Sequence, residues 1–170
     1  MPGIDKKLMA ELEEYIRIYY IPEEESIKQV LEEGRYLPKD GGTSKPEEFD
    51  FDELISELGE TFHDMLFRII REQNRDEAEV YKKAHVDRRL FSKIRNNPAY
   101  HPKKSTVLAI AVALQLDLSE TEDFLAKAEY AFSPSSKSDL IIKFFIENGI
   151  YDVQTINLAL YEHDLPVLGS

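Results

Sequence analysis

The sequence predicts an all-α protein, and three observations lead to this prediction. Apolar residues recur at steps of three and four residues along most of the chain, which is the period of an amphipathic helix. No segment alternates between apolar and polar residues for long enough to indicate a strand. The 170 residues are 42% hydrophobic, which is enough apolar material for a packed core. We therefore expect one helical domain with smaller additions.

Residues 1–34 are predicted to form an acidic hairpin of two helices. The first helix lies near 5–20, where five apolar residues share one face: Leu8, Leu12, Tyr15, Ile16 and Tyr19. The second begins at Pro22, because proline suits the first position of a helix, and Gly34 suits its C-terminal end. Residues 35–49 contain adjacent glycines and two prolines, and they are predicted to be a linker.

Residues 50–131 are predicted to form the central bundle of helices. Asp50 is a predicted N-cap for a long apolar stripe that ends at Ile70 and is divided in two at Gly59. Further helices are predicted near 77–84, 87–95, 104–115 and 119–130. Together these helices supply most of the apolar residues expected in the core.

Residues 132–170 are predicted to add a C-terminal extension of two helices. The first ends at the pair Asn148-Gly149, and the second is predicted to be capped by Asp152. The apolar residues of segment 135–164, such as Phe144, have two possible roles. They either complete the core or form a two-fold interface between two copies of the chain.

The chain is strongly acidic overall, but its charge is unevenly distributed. Lys and Arg together number 21 and Asp and Glu number 33, which gives a net charge of −12. Such a balance disfavours contact with phosphate groups or with an anionic membrane surface. Residues 82–104 are the exception, since they hold eight basic residues and one acidic residue. Because charges are screened over about 8–10 Å, this basic segment can act locally.

The composition excludes or disfavours several classes of site. The absence of cysteine excludes disulfides, thiol nucleophiles and cysteine-based metal sites. The four histidines show no metal-ligand spacing, and the chain has neither a glycine-rich phosphate loop nor a nucleophile elbow. We therefore expect a non-enzymatic protein without a cofactor. No apolar run approaches the roughly 20 residues of a membrane span and no signal-peptide pattern occurs, so we expect a cytoplasmic protein.

Residues 77–95 carry the most informative pattern, E-A-E-V-Y-K-K-A-H-V-D-R-R-L-F-S-K-I-R. A first short helix is predicted to turn Val80 inward, a tight turn follows at His85, and Asp87 caps a second short helix. This pattern resembles the helix-turn-helix of the lambda-repressor-like (Xre/Cro-type) family. Residues 105–119, S-T-V-L-A-I-A-V-A-L-Q-L-D-L-S, resemble the fourth helix of that family, and the whole resemblance covers about 60–130.

The resemblance implies a DNA-binding transcriptional regulator whose second short helix enters the major groove of duplex DNA. The base contacts implied by the motif are Arg88, Arg89, Ser92 and Lys93, since arginine can pair bidentately with guanine. The implied phosphate contacts are Lys82, Lys83, Asn96, His101, Lys103 and Lys104. Proteins of this kind often read two half-sites as dimers, so a homodimer is a further expectation.

The chain departs from the family pattern at three places. Tyr81 stands where the family has a small residue, and Asp76 and Glu77 stand where the first helix usually begins with a glutamine or threonine. His85 replaces the usual glycine of the turn, so we expect it to adopt a left-handed backbone conformation.

A second resemblance indicates a bacterial or phage-related setting and supplies no activity. Residues 60–169 resemble helical modules found behind macro domains in some bacterial proteins, through K-K-A-H-V-D-R-R-L-F-S-K-I-R-N-N-P, S-S-K-S-D-L-I-I and F-F-I-E-N-G-I-Y-D. The alternative function is an adaptor, inhibitor or subunit that uses the same helical fold and acidic surface to bind another protein, in a bacterial defence or mobile-element setting. Its protein partner would bind residues 1–34 or 135–164. In a related hypothesis, the acidic arm 1–34 covers the basic segment 82–104 and blocks DNA.

Overall fold

Eight α-helices and no strand occur in the residues that the computed structural model describes, which are 4–25 and 59–169. The predicted all-α class is therefore confirmed. The helices are α1 Lys6–Tyr19, α2 Phe62–Glu72, α3 Glu77–Lys83, α4 Arg88–Asn96, α5 Lys104–Ala113, α6 Leu118–Lys127, α7 Lys137–Glu147 and α8 Val153–Glu162. None of these helices is both long enough and apolar enough to cross a membrane.

Side-chain caps explain where most of the helices begin. Four residues each accept a hydrogen bond from a backbone amide of the following turn: Asp5, Asp76, Asp87 and Ser136. Thr61 and Asp117 form reciprocal capping boxes with Asp64 and Glu120. The predicted cap at Asp152 needs a correction. Asp152 occupies the cap position of α8, but its carboxylate accepts from the Thr155 hydroxyl at 2.6 Å and makes no capping bond to the backbone.

Six helices, α2, α3 and α5 to α8, end in the same way. A residue beyond each C-cap has a positive φ: Asn74, His85, Gln115, Glu129, Gly149 and Asp164. The next amide then donates to a carbonyl five positions back, as Val86 does to Tyr81 with an N···O distance of 2.9 Å. This arrangement is the Schellman motif, which usually places glycine at the left-handed position. Here only Gly149 is a glycine, and it confirms the predicted end of α7.

The centre of the core is α5. Its residues from Thr106 to Ala113 are all buried, and it packs against α3, α6 and α8. A helix that is apolar on every side is stable only when other elements surround it. Apart from Leu140, the buried apolar residues of α2 to α8 form one cluster, which also includes Leu12 of α1.

The C-terminal extension completes this core. Phe145 on α7 and Ile156 on α8 are fully buried, and Phe144 is 4% exposed. Most apolar residues of 135–164 therefore pack within the chain, although Tyr161 on α8 is 74% exposed. The predicted division between residues 131 and 132 coincides with no gap in the core, because α6 packs directly on α7.

The N-terminal helix α1 runs along α7, with the Tyr15 and Phe144 ring centroids 5.4 Å apart. The described part of the acidic arm, residues 4–25, thus lies on α7 and not on the basic segment 82–104. For this part of the arm, the hypothesis that it covers the basic segment is wrong. An apolar face on α7 offers more burial than a charged surface, which explains the placement.

Several predictions fall outside the residues that the structure describes. Residues 23–25 form a helical turn, as expected for a helix that begins at Pro22. The rest of that helix, the linker 35–49 and the N-cap at Asp50 lie in the part of the chain that is not described.

Candidate nucleic-acid interface

The sequence motif at 77–95 forms two short helices joined by a tight turn. Helix α3 ends at Lys83, α4 begins after its cap Asp87, and the turn between them contains His85 with a φ of 55°. The left-handed conformation expected for His85 is therefore confirmed. A non-glycine residue here is no anomaly for this chain, because four other helices end on a non-glycine residue of the same conformation.

The inward side of this unit is anchored in the core. Five residues of the two helices and the turn are buried: Val80, Ala84, Val86, Phe91 and Ile94. The Phe91 ring lies between two other aromatic rings, with its centroid 5.6 Å from that of Tyr81 and 6.0 Å from that of Phe67. Tyr81 thus stands beside the core where the resembling family has a small residue, and its ring packs on Phe91.

The outward side of α4 presents the residues implied as base contacts. Arg88, Arg89 and Lys93 are exposed, and Ser92 is half-buried. Within residues 4–25 and 59–169, neither arginine side chain takes part in a hydrogen bond or ion pair. The Lys93 ammonium lies 4.4 Å from the centroid of the Tyr100 ring, a cation–π contact that holds it near the start of the following loop. The structure therefore brings these four side chains to one face.

The residues implied as phosphate contacts are in several different situations. Lys82, Asn96 and Lys103 are exposed. Lys83 is exposed as well, but it pairs with Glu79 at 2.9 Å, and this ammonium lowers the pKa of the Glu79 carboxyl. The pair lies one turn apart on α3, a spacing that the sequence alone makes visible.

Lys104 and His101 fit the role of phosphate contacts poorly. The Lys104 ammonium pairs with the buried Asp139 carboxylate at 2.6 Å and donates to the Ala131 carbonyl at 2.7 Å. This lysine is therefore committed to joining the start of α5 to α7. The His101 ring stacks on Tyr130, and its Nε2 lies 2.6 Å from the Ala128 carbonyl oxygen. Both side chains are therefore engaged in contacts within the protein.

One feature of the site was missed by sequence reasoning. Arg95 at the end of α4 pairs with Glu77 at the start of α3, with an N···O distance of 2.7 Å. The two residues are 18 positions apart on different helices, so no periodic spacing indicates the pair. It neutralises one cation of the basic segment and ties the far ends of the two helices together.

No group of three or more His, Asp or Glu side chains is placed to hold a metal ion within the described ranges 4–25 and 59–169. What the site offers is a row of cations on an exposed helix, which suits an anionic partner.

Comparison of the chain with protein-family models, with curated proteins and with solved structures gave no significant match. The geometry of α3 and α4 is therefore the basis on which a function is proposed.

Proposed function

We propose that this protein binds duplex DNA through α4 and acts as a non-enzymatic transcriptional regulator of the helix-turn-helix type. The single observation that carries the proposal is the two-sided character of α4. Phe91 and Ile94 fix one side in the core, while Arg88 and Arg89 project from the other side without a protein partner among the described residues. A helix of this kind can enter the major groove with its N-terminal residues at the base edges.

The electrostatics of the basic segment support the same proposal. Three of its cations are neutralised by carboxylates: Lys83, Arg95 and Lys104. Five others form no ion pair within 4–25 and 59–169: Lys82, Arg88, Arg89, Lys93 and Lys103. No ion pair joins residues 4–25 to the basic segment, so the described part of the acidic arm leaves these five cations available to a partner.

Fluorescence anisotropy against duplex DNA from the region upstream of the protein's own gene, with a scrambled duplex for comparison, tests the proposal. Affinity should fall with salt between about 50 and 200 mM, with a log–log slope near −0.9 per neutralised phosphate. If Arg88 and Arg89 read bases, the double variant Arg88→Ala/Arg89→Ala should weaken binding at least about tenfold and remove the preference for the native duplex.

A matched control separates base contact from overall charge. The double variant Lys6→Ala/Lys7→Ala also removes two adjacent exposed cations that follow an aspartate cap, but at the start of α1, so it should leave affinity for the native duplex nearly unchanged. If Arg88→Ala/Arg89→Ala still prefers the native duplex over the scrambled one, the assignment of these two arginines as base contacts is contradicted. Absence of any binding at low salt would contradict the proposed function itself.

A second candidate function, an adaptor or inhibitor that binds another protein, is favoured by one observation. Ile18 and Tyr19 on α1 are 57% and 53% exposed, although most large apolar residues of the described chain are buried. They lie beside the acidic residues of the same helix, so a partner here would be apolar with basic surroundings. Its binding should respond little to salt, and Ile18→Ser should weaken it while leaving DNA affinity unchanged.

A further inference from the structure

The segment 165–169, here named the strap, follows α8, and the side chain of Asn157 binds it through two hydrogen bonds. The Asn157 amide nitrogen donates to the Leu168 carbonyl at 3.1 Å, and the Asn157 amide oxygen accepts from the Leu168 backbone N–H at 2.7 Å. Leu168 itself is only 6% exposed. The side-chain amide of Asn157 thus bonds both the N–H and the C=O of one strap residue, as the backbone of a neighbouring β-strand does.

The strap reaches the turn between α3 and α4. A β-carbon built on Gly169 would lie 2.6 Å from the carbonyl oxygen of His85, so the two backbones are in close contact. The Thr106 hydroxyl, near the start of α5, also donates to the Gly169 carbonyl at 3.4 Å. His85 is the left-handed residue on which the turn depends.

We propose that Asn157 is a positioning residue for the interface on α4. By holding the strap against His85, it fixes the turn and therefore the orientation of Arg88 and Arg89 relative to α3. Asn157 does not contact the partner itself, because it is half-buried and both its polar atoms bind Leu168. As far as DNA affinity is concerned, this inference rests on the proposed function.

The first test measures the turn without DNA. Hydrogen exchange of the His85 and Val86 amides, which bond to Lys82 and Tyr81, should accelerate in Asn157→Ala by more than the average of the α5 amides. Asn148→Ala is the matched control. It removes another asparagine-to-backbone hydrogen bond, 2.8 Å to Phe144 at the end of α7, and should leave the turn unchanged. Unchanged exchange at the turn in Asn157→Ala would overturn the inference.

A second pair of variants tests the contact between the strap and His85 by changing the strap itself. Gly169→Ala places a methyl group against the His85 carbonyl, so it should accelerate exchange at the turn as Asn157→Ala does. Gly149→Ala is its control. Gly149 also has a positive φ, +68°, but a β-carbon there meets nothing within 4 Å, so the turn amides should exchange as in the unaltered chain. Equal effects of the two glycine variants would count against the strap.

The last test links the turn to DNA. Asn157→Ala should weaken binding at least about fivefold, the lower end of typical coupling between sites, with an unchanged salt slope because no phosphate contact is lost. Asn157→Asp should weaken binding at least as much, since its second carboxylate oxygen would face the Leu168 carbonyl oxygen in place of the amide that donates to it. Faster exchange with unchanged affinity would overturn the positioning role. If the unaltered chain binds no DNA, the proposed function fails, while the exchange rates still decide whether the strap holds the turn.

Discussion

Helices α4 and α5 follow each other in the chain and are of similar length, yet they are held in opposite ways. In α5 every residue from Thr106 to Ala113 is buried, whereas in α4 only Phe91 and Ile94 are. The position of α5 is therefore set by packing on all sides, which leaves no surface for a partner. The position of α4 is set by these two buried residues, by its Asp87 cap and by the ion pair at its C-terminal end. Most of its surface is therefore available to a partner.

The largest effect should come from a cavity in α5. Ile110→Ala removes a fully buried side chain and should lower the free energy of unfolding by about 2–5 kcal/mol. The half-buried Leu90 on α4 is the comparison, and Leu90→Ala should cost clearly less because the site is partly open to water. Urea denaturation measures both variants. Equal losses would mean that α4 is as tightly enclosed as α5.

The next effect should come from the ion pair that ties α5 to α7. Lys104→Ala leaves the Asp139 carboxylate, 5% exposed, without its charge partner. We expect a loss of about 2 kcal/mol, below that of a fully buried pair because the lysine is 30% exposed. The neighbouring Lys103 is exposed, so Lys103→Ala should change the unfolding free energy by less than about 0.5 kcal/mol. Similar losses in the two variants would show that the pair contributes little.

A smaller effect should come from the caps. Thr61→Ala removes a side chain that accepts from the Asp64 amide at 3.1 Å, and it should cost about 1 kcal/mol. Asp152→Ala should cost less, because Asp152 makes no capping bond to the backbone of α8. Thermal unfolding of both variants gives the comparison. A larger loss at Asp152 would mean that its bond to Thr155 matters more than a backbone cap.

The smallest effect should come from the outward side of α4. Arg88→Ala/Arg89→Ala should leave the free energy of unfolding within about 0.5 kcal/mol of the unaltered chain, since neither side chain has a partner among the described residues. Urea denaturation at two salt concentrations checks this. A substantial loss of stability would place the two arginines among the structural residues of α4 and remove the contrast with α5.

Local patterns in the sequence predict most of the helices and much of the α3–α4 unit. The Asp87 cap follows from residue type and spacing, the left-handed His85 follows from the family resemblance at the turn, and both are found in the structure. Partners distant in sequence could not be predicted in this way. Nothing near Lys104 indicates that Asp139, 35 positions away, neutralises it. The place of α1 on α7 was missed for the same reason, because helical periodicity gives the apolar face but not its neighbour.

The left-handed residues at the helix ends leave this protein short of the thermal stability its fold allows. Five of them carry side chains, and an L-residue in this conformation costs about 1 kcal/mol relative to glycine. Glycine at Asn74, Gln115 or Glu129 would relieve that cost without touching the α4 surface. Single glycine substitutions at these sites, which are remote from the proposed interface, should therefore raise the melting temperature of the protein.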